Sequence, residues 1–459
     1  MAHPSHNHQG QSPWSTVRQD AVARIFPPSQ PIEHKLNVPG SKSFTNRALL
    51  LAGLAQGKST LRGILRSDDS YWAVDCLRRL GVPVQLEDDT VTIYGSGGHW
   101  PVRSASLFIG SAGTLARFLP GALAVSKGKW SVDGSEQLRQ RPLEPLLASL
   151  GDLGADIRFL RDKDELPFVV NGHGLSGGET EIPGSVSSQF LSGLLLCSPY
   201  ARGPVTIRVP DAIVQQEYVR ITLAMMQEFG VAVVHDENLT QFEVPSQPYQ
   251  GRDTVLEADA STACYFFAAA AVTGGRVTVT NLNPTTYQPD ARFVDILQRM
   301  GCQVERGTST MTVQGPIRLS GGFTVSMKAL SDQALTLAAI APFADGPIHV
   351  TEVEHIRNHE CDRIRAAVEN LRRLGIRCDE HKDGLTVYPG KPRGGPLPSY
   401  DDHRVAMAFS ILALRTENVA IQNAGCVSKT CPAFFQLLSA MGVEVRLESR
   451  GDITTEKKR

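Results

Sequence analysis

Basic side chains in this sequence recur beside small and hydroxyl residues, at points where helices are predicted to begin. In the segment Val38-Pro-Gly-Ser-Lys-Ser-Phe-Thr-Asn-Arg47, Lys42 and Ser43 lead into the apolar run 48–55, with Arg47 directly before it. Backbone N–H groups at the start of a helix carry partial positive charge and bind anions. Because lysine and arginine oppose this dipole, the segment indicates an anion site, with a solvated basic turn as the alternative.

The N-terminal half holds two more small-residue turns that enter helices. The turn 110–114 reads Gly-Ser-Ala-Gly-Thr and is followed by Arg117, while 184–189 opens the apolar run 190–196. Hydroxyl and amide groups there suit an oxyanion, although a serine-rich N-cap is the alternative for the second turn. The phrase 57–60 is not a phosphate loop, because the Walker glycine is missing and the phrase ends a helix. The groups of interest in these turns and in the phrase 139–142 are Gly113, Arg141, Ser187, Ser188 and Gln189.

The C-terminal half carries four charged phrases, each at a predicted helix entry. They occupy 330–333, 357–363, 401–404 and 428–432. Asp332 and Glu360 form the available acid/base pair, while Glu360 and Arg363, at i and i+3, are alternatively a structural ion pair. Since the phrases lie at equivalent points of different repeats, they converge if the repeats pack around a common axis. Converging lysine and arginine side chains predict a substrate rich in phosphate and carboxylate.

Six short phrases place these residues within one repeated pattern. Each phrase ends a helical stretch at a glycine and continues with a β-branched alternation, at intervals of 67 to 76 residues. Glycine supplies the left-handed position that ends a helix, and a second strand follows a polar turn, as in 82–86 with 90–94 and 376–378 with 385–388. The pattern predicts an α/β fold of six repeated helix-strand-strand units. The six glycines are Gly81, Gly154, Gly230, Gly301, Gly375 and Gly442.

Length and composition set the domain count and exclude several classes of protein. Six units in 459 residues are too many for one core, and three per domain give two domains of about 220 residues. A cleft between two such halves is the expected place for an active site. The formal net charge of -1 gives no electrostatic case for a nucleic acid or a membrane surface as the partner. No apolar run is long enough to span a membrane.

The start of the chain and the cysteines predict a compartment. The first residues lack the basic-then-apolar order of a secretory signal, and the eight cysteines contain no CxxC pair and no zinc-ligand spacing. We therefore expect reduced thiols, a cytoplasmic location, no metal and no cofactor. His3, His6 and His8 are able to chelate a metal, but a flexible polar end is the favoured interpretation.

Several of these phrases are specific enough to indicate a family. The sequence reads Pro-Gly-Ser-Lys-Ser-x-Thr-Asn-Arg from Pro39, Gly-Ser-Val-Ser-Ser-Gln-Phe from Gly184 and His-Glu-Cys-Asp-Arg from His359. By these motifs, and by Asp-Asp-His-Arg and Ser-Lys-Thr-Cys-Pro further on, the chain resembles the enolpyruvyl transferase family from about residue 38 to about residue 435. The resemblance implies a two-domain inside-out α/β barrel, with three repeats per domain related by pseudo-threefold symmetry. It also implies a discontinuous domain of residues 1–38 plus 258–459, a second domain of residues 39–257, and an active site in the interdomain cleft.

The resemblance further implies a reaction, namely transfer of the enolpyruvyl group of phosphoenolpyruvate to the 5-hydroxyl of shikimate 3-phosphate with release of phosphate. It assigns Asp332 as the base for the hydroxyl proton, and Glu360 with Lys429 or Lys42 as proton donors. The implied ligands of shikimate 3-phosphate are Lys42, Ser43, Arg47, Ser187, Ser188, Gln189, Gln215, Asp332, His355 and His359. The implied ligands of phosphoenolpyruvate are Lys42, Gly113, Arg141, Gln189, Arg363, Arg404 and Lys429. The expected partners are these two small molecules, and the expected state is a monomer.

Three positions on the acceptor side depart from the family's usual residues. His359 stands where most members carry lysine, His355 replaces a usual asparagine, and Gln215 replaces a usual serine. An enolpyruvyl transferase that acts on a different hydroxylated acceptor is therefore an alternative. A non-catalytic binding protein is the alternative from another class.

The phosphoenolpyruvate side has its own distinguishing features. Gly113 leaves room for glyphosate, the family's inhibitor, so inhibition is expected. Ser111 stands where the commonest form of the glycine turn has asparagine, and it is the first residue to suspect if inhibition is weak. The related enzymes that act on UDP-N-acetylglucosamine typically carry a cysteine in the loop that is here 134–141, and this loop has none.

Overall fold

The computed structural model of this chain describes residues 10–161 and 166–449, so His3, His6 and His8 lie outside the described residues. None of the helices in the described part is long and apolar enough to cross a membrane. The α-helices are α1 (Lys42–Leu54), α2 (Asp68–Arg79), α3 (Gly113–Ala124), α4 (Glu136–Arg139), α5 (Glu144–Asp152), α6 (Ser188–Cys197), α7 (Glu217–Glu228), α8 (Ala260–Thr273), α9 (Phe293–Arg299), α10 (Ala334–Ile340), α11 (Arg363–Arg373), α12 (His403–Leu412) and α13 (Phe434–Ala440).

The strands are short, and several short 3-10 helices connect them to the α-helices. The strands are β1 (Val22–Ile25), β2 (Glu33–Leu36), β3 (Gln56–Arg62), β4 (Val84–Glu87), β5 (Thr90–Ser96), β6 (Ser104–Phe108), β7 (Lys127–Asp133), β8 (Asp156–Phe159), β9 (Phe168–His173), β10 (Gly178–Glu181), β11 (Val205–Arg208), β12 (Val234–His235), β13 (Gln241–Val244), β14 (Asp253–Val255), β15 (Arg276–Val279), β16 (Gln303–Arg306), β17 (Met311–Gln314), β18 (Phe323–Ser326), β19 (Ile348–Thr351), β20 (Cys378–His381), β21 (Gly384–Val387), β22 (Gly395–Pro398), β23 (Val419–Gln422) and β24 (Val445–Glu448). The 3-10 helices are Ser198–Tyr200, Pro289–Arg292, Ser331–Gln333, Ala341–Phe343, Glu354–Asn358, Ala413–Arg415 and Ala424–Lys429.

In the described residues, the strands form six four-stranded sheets with one shared arrangement. Each sheet has one parallel pair followed by two antiparallel pairings; β6 pairs parallel with β7, β7 antiparallel with β9, and β9 antiparallel with β8. The two hairpins predicted from the sequence are present as the antiparallel pairs β4–β5 and β20–β21. The prediction of six repeated helix-strand-strand units is therefore confirmed. The sheet orders are β14-β3-β5-β4, β6-β7-β9-β8, β10-β11-β13-β12, β2-β15-β17-β16, β18-β19-β21-β20 and β22-β23-β1-β24.

The six repeat glycines end helices as their position predicts. All of them adopt a left-handed backbone, with φ between +77° and +97°. At Gly81, for example, the amide donates to the carbonyl oxygen of Arg78, and the next amide, that of Val82, donates to that of Leu77. This reverse turn directs the chain from α2 into β4 without the steric cost that another residue type would incur.

The short apolar helices occupy the interior, and the sheets lie outside them. Every residue of α3, α10 and α12 is buried. Because a helix that is apolar on all sides is stable only when it is fully enclosed, such helices must be surrounded by other elements of their unit. The predicted α/β class, with helices inside and sheets outside, is confirmed.

The contacts divide the chain into two compact units. Among the described residues, unit 1 comprises 10–13, 40–161 and 166–256, and unit 2 comprises 14–39 and 257–449. Strand β1 lies between β23 and β24, and β2 pairs with β15, so the segment 14–39 completes two sheets of unit 2.

The first described residues differ from the expected domain of 1–38 plus 258–459, because residues 10–13 contact unit 1. The carbonyl oxygen of Gly10 accepts a hydrogen bond from Trp72 Nε1 at 2.9 Å, and Ser12 Oγ donates to Asp68 at 2.6 Å. The chain therefore passes from one unit to the other between Pro13 and Trp14 as well as near residues 39 and 256.

Candidate active site

In unit 1, the predicted ligands lie at the starts of three buried helices that contact one another. Asn46 of α1 donates from Nδ2 to Thr114 Oγ1 of α3 at 2.7 Å. Arg47 of α1 donates from Nη2 to Ser192 Oγ of α6 at 3.2 Å. Because these contacts lie within the first two turns of each helix, the structure brings close together the N-terminal parts of the helices that begin at Lys42, Gly113 and Ser188. Three converging helix N-termini are favourable surroundings for an anion.

Arg47 is buried and held by neutral groups. Its guanidinium donates to Thr222 Oγ1 at 2.8 Å, and to the carbonyl oxygens of Ser43 at 3.0 Å and Tyr218 at 3.2 Å. It also lies 5.2 Å from the centre of the Phe118 ring. Burial lowers the pKa of Arg47 to about 10, which leaves it charged at neutral pH. Together with the bond to Ser192, these contacts use four of the five N–H groups of Arg47.

Gly113 and Arg141, both predicted ligands of phosphoenolpyruvate, lie side by side in unit 1. A Cβ atom added to Gly113 would lie 2.5 Å from Arg141 Nη1. Buried Arg117 fixes this pairing, because it donates to the carbonyl oxygen of Gly113 at 3.1 Å and to that of Pro142 at 3.0 Å. The glycine therefore gives the Arg141 guanidinium direct access to the start of α3.

The start of α6 supplies hydroxyl and amide groups. Ser187 is the N-cap, and its Oγ accepts the backbone N–H of Gln189 at 3.2 Å. Gln189 Oε1 is buried and has no hydrogen-bond partner among the described residues. Gln215 precedes α7 in a left-handed conformation, with φ of +52°. This backbone conformation is unusual for glutamine, and it sets the direction of the Cα–Cβ bond of Gln215.

In unit 2, the structure brings the four charged phrases together in one chain of ion pairs. Glu360 accepts Lys429 Nζ on Oε1 at 2.9 Å and Arg363 Nη2 on Oε2 at 2.8 Å. Asp332 accepts Arg363 Nη1 on Oδ1 and Arg404 Nη2 on Oδ2, both at 2.8 Å. The two candidate acid/base carboxylates are thus joined through Arg363. The ion pair at i, i+3, which the sequence offered as the alternative for Glu360 and Arg363, is present, and the four phrases converge as expected.

Arg363 is the centre of this cluster, and its side chain is almost completely buried. Its Nε donates to Asp402 Oδ2 at 2.8 Å, in addition to the two carboxylates above. Burial by itself lowers the pKa of Arg363, but the carboxylates of Asp402, Glu360 and Asp332 outweigh it, and the net pKa lies above its ordinary value. A guanidinium carries five N–H donors in a planar fork, which lets this one side chain contact three carboxylates at once.

Two histidines flank the cluster. His359 Nδ1 lies 3.0 Å from Arg363 Nη1, so it accepts from the guanidinium and the ring hydrogen is on Nε2. His355 Nε2 lies 2.9 Å from Ser331 Oγ, and burial lowers its pKa. The two rings meet edge to face, with centres 5.8 Å apart. In this arrangement His359 presents an N–H donor where most relatives were expected to have a lysine.

Sequence reasoning missed Asp402 as a functional partner. It caps α12, its side chain accepts the backbone N–H of Arg404 at 2.8 Å, and it holds Arg363. Its role as a helix cap could have been predicted, because aspartate is favoured at the N-cap and Asp402 directly precedes the apolar helix pattern that begins at His403. The second role depends on tertiary contact between α11 and α12. In the described part of the chain, no group of three or more His, Cys, Asp or Glu residues is arranged to hold a metal.

Solved structures share this overall fold. EPSP synthase from Acinetobacter baumannii matches with a TM-score of 0.78 and 27% identity, covering 93% of this chain and 100% of that one. The enolpyruvyl transferase NikO from Streptomyces tendae matches with a TM-score of 0.75 over 94% of this chain and 99% of that one, at 17% identity, which concerns the fold alone. The fold is therefore that of the enolpyruvyl transferases.

The sequence comparisons define the family more narrowly. The family model of EPSP synthase (3-phosphoshikimate 1-carboxyvinyltransferase) matches residues 27–438. The chain is 50% identical over 440 residues to 3-phosphoshikimate 1-carboxyvinyltransferase 2 of Halalkalibacterium halodurans, covering 95% of this chain and 98% of the relative. It is 42% identical over 410 residues to 3-phosphoshikimate 1-carboxyvinyltransferase of Trichormus variabilis, covering 89% and 96%. The chain belongs to the EPSP synthase family, and the resemblance predicted from its motifs is confirmed.

Proposed function

We propose that this chain is a 3-phosphoshikimate 1-carboxyvinyltransferase, which transfers the enolpyruvyl group of phosphoenolpyruvate to the 5-hydroxyl of shikimate 3-phosphate and releases phosphate. This reaction belongs to the biosynthesis of chorismate and aromatic amino acids. Family membership supports the reaction. The observation that carries it at the level of residues is the ion-pair chain of unit 2, which joins both candidate acid/base carboxylates to three cations.

The ion-pair chain suggests how phosphoenolpyruvate activates Asp332 as the base. Both oxygens of Asp332 are occupied by guanidinium groups, one from Arg363 and one from Arg404. When the carboxylate or phosphate of phosphoenolpyruvate takes over those donors, Asp332 becomes able to accept the proton of the acceptor hydroxyl. The base is then released only when the second substrate is present, which limits unproductive chemistry.

The second pair supports proton delivery. Lys429 and Glu360 share a hydrogen-bonded contact at 2.9 Å and are both largely buried. As the acceptor oxygen adds to C2 of phosphoenolpyruvate, its methylene carbon needs a proton, which Glu360, Lys429 or Lys42 supplies. In the second step a proton is taken back from the resulting methyl group by the base form of one of these groups, the C–O bond to phosphate breaks and the C=C bond is restored, and the nearby guanidinium groups stabilise the negative charge of the departing phosphate.

Unit 1 supplies groups for the substrate anions. We assign shikimate 3-phosphate to Ser43, Arg47, Ser187, Ser188, Gln189 and Gln215 of this unit, with Asp332, His355 and His359 of unit 2. Lys42 belongs to both substrates, and Gly113, Arg141, Arg363 and Arg404 to phosphoenolpyruvate, as do Gln189 and Lys429. Because these ligands come from both units, neither unit alone is expected to be active.

The test is phosphate release from phosphoenolpyruvate by the purified chain, with and without shikimate 3-phosphate. Release that requires shikimate 3-phosphate and yields its enolpyruvyl ether is the expected result. Unphosphorylated shikimate is the matched control, because it keeps the attacking hydroxyl and lacks the anion that the helix starts of unit 1 are proposed to bind. The absence of release with shikimate 3-phosphate would overturn the assignment.

A different acceptor is the second candidate, and the two histidines favour it. His355 and His359 lie against one another beside Asp332, with Gln215 the third unusual residue of the acceptor side. Release of phosphate with another hydroxylated acceptor, but not with shikimate 3-phosphate, would support this candidate. The proposal further includes a monomer in the cytoplasm, where the eight free and mostly buried thiols stay reduced.

A further inference from the structure

The chain segment that precedes the family match lies against a predicted site residue of unit 2. The match to the family model begins at residue 27, whereas the contacts below come from residues 15–21. Thr16 Oγ1 donates to the carbonyl oxygen of Pro432 at 2.7 Å, and Ser15 Oγ lies 3.3 Å from Ser428 Oγ. These two partners lie on either side of Lys429 in the sequence.

The backbone of the same segment fits closely against the 3-10 helix Ala424–Lys429. The amide of Ala424 donates to the carbonyl oxygen of Ala21 at 2.8 Å. A Cβ atom added to Gly425 would lie 2.2 Å from the carbonyl oxygen of Arg18, so the two backbones approach as closely as glycine allows. The 3-10 helix that ends at Lys429 is therefore supported along its length by the N-terminal segment.

A side chain of the segment also contacts the neighbouring charged phrase. Gln19 Nε2 donates to Asp401 Oδ1. Asp401 has a left-handed backbone, with φ of +56°, which is strained for a residue other than glycine. The charged groups around it are Lys429, Asp402 and Glu360, with the buried thiol of Cys426 also nearby.

We propose that Thr16 and Gln19 are positioning residues for Lys429. Thr16 fixes the turn after Lys429, and Gln19 holds Asp401, so that the ammonium group keeps its place beside Glu360. The inference rests on the proposed function, because it gives the N-terminal segment a role in the reaction of the same site. The polar side chains of the segment thereby contribute to catalysis without touching substrate.

The test compares three variants in the full chain: Gln19→Leu, Thr16→Val and the control Arg18→Ala. Arg18 lies in the same segment, but its side chain is exposed and pairs with Asp20. Loss of one hydrogen bond that supports a charged ligand predicts a KM for phosphoenolpyruvate raised about five-fold in Gln19→Leu, and about two-fold in Thr16→Val. The kcat of both variants should change less than KM, and Arg18→Ala should behave as wild type.

The pH profile separates positioning from mere packing. Burial raises the pKa of Asp401 to about 6, while the nearby Lys429 and the hydrogen bond from Gln19 hold it down. Removing that bond raises the pKa further, so the acid limb of kcat/KM in Gln19→Leu should move to higher pH. In an Asp401→Asn background the same substitution should leave the limb in place, because the titrating group is gone.

The outcomes distinguish this inference from the proposed function. A KM or an acid limb in Gln19→Leu that equals the wild type would overturn the positioning role while leaving the reaction intact. A wild-type chain without phosphate release dependent on shikimate 3-phosphate would instead overturn the proposed function. Thermal melting of each variant checks that folding is retained.

Discussion

Arg47 of unit 1 and Arg363 of unit 2 are both 1% exposed, yet they are held by partners of different charge. Arg47 donates to hydroxyl and carbonyl oxygens, whereas Arg363 donates to three carboxylates. Neutral acceptors satisfy the donors of a guanidinium but leave its positive charge uncompensated. Carboxylates compensate the positive charge of the guanidinium. Two of them, Asp332 and Glu360, are also the candidate acid/base groups.

The difference shows that one repeated scaffold supports two kinds of site. In unit 1, helix starts and a buried guanidinium provide a standing positive potential, which suits the binding of an anion. In unit 2, Arg363, Arg404 and Lys429 are engaged by carboxylates, so an arriving anion has to compete for them. Two units that share one architecture thus hold their buried arginines in different electrostatic surroundings.

The largest effect is expected for Asp332→Asn, which removes the proposed base of unit 2. The amide cannot take the hydroxyl proton, so kcat should fall about 10³-fold. Because the amide oxygen still accepts from Arg363 or Arg404, KM for phosphoenolpyruvate should change little. Steady-state kinetics would measure both values, with the exposed Asp295 changed to Asn as a control in the same unit. Turnover at the wild-type level would remove Asp332 from the base role.

The next effect comes from replacing each buried arginine by lysine. Arg363→Lys puts one ammonium where the guanidinium contacted three carboxylates, of which Asp402 is fully buried, and should cost about 3 kcal/mol of stability. It should also lower kcat/KM for phosphoenolpyruvate about 100-fold, since the planar fork is lost. Arg47→Lys loses hydrogen bonds to neutral groups alone, and should cost about 1–2 kcal/mol. Urea unfolding would measure both, and equal costs would show that the charge of the partners does not distinguish the two units.

A smaller effect is expected in unit 1 for Gly113→Ala. The added methyl group would lie 2.5 Å from Arg141 Nη1 and displace the guanidinium. KM for phosphoenolpyruvate should rise about ten-fold, equivalent to about 1.4 kcal/mol, and inhibition by glyphosate should weaken. Gly151→Ala on α5 is the matched control, because nothing lies within 4 Å of its added Cβ. Unchanged kinetics in Gly113→Ala would separate Arg141 from the phosphoenolpyruvate site.

The smallest effect concerns the stability cost of a buried carboxylate in unit 2. Burial raises the pKa of Asp290 from 3.8 to about 6. The folded chain therefore keeps a proton that the unfolded chain has lost between these values, and the free energy of unfolding falls as pH rises from about 4 to 6. Ser261 and Gln333 both donate to Asp290 Oδ2, and an amide oxygen accepts both bonds equally well.

Asp290→Asn should therefore be more stable than the wild type by roughly 1–2 kcal/mol at pH 7, with little difference at pH 4. Urea unfolding between pH 4 and 8 would measure this difference. A stability difference between Asp290→Asn and the wild type that stays constant with pH would contradict the assignment of the pH-dependent part of the stability to Asp290. Asp295→Asn again serves as a control for an exposed carboxylate.

Much of the fold was predictable because its signals are local. Gly81 and its five counterparts need a left-handed backbone, and that need is visible as a glycine after each helical pattern. The hairpins follow from alternating strands and polar turns, although β4 and β20 are displaced from their predicted positions by two residues at the start and by one to three at the end. Completion of sheets by β1, β2 and β14 was not predictable from local pattern, because these strands pair with partners far away in the sequence.

The candidate site divides in the same way. The charged phrases at helix entries were visible in the sequence, since charge at a helix start is conspicuous. Which carboxylate meets which cation was not, because a side chain's direction depends on how its helix packs. Asp402 holds Arg363 from a helix 39 residues away, and Gln19 reaches Asp401 across 382 residues. Neither contact has a local signature.

The sequence by itself determined the repeat, the helix ends, the set of charged phrases and the family, because each depends on short-range steric and electrostatic preferences. The tertiary structure alone decided which guanidinium is held by carboxylates and which by neutral oxygens. It also placed the N-terminal segment against the turn of Lys429. The physical reason is that the interaction energy of a buried charge depends on which groups are packed around it. That packing depends on the fold of the whole unit and has no local sequence signature.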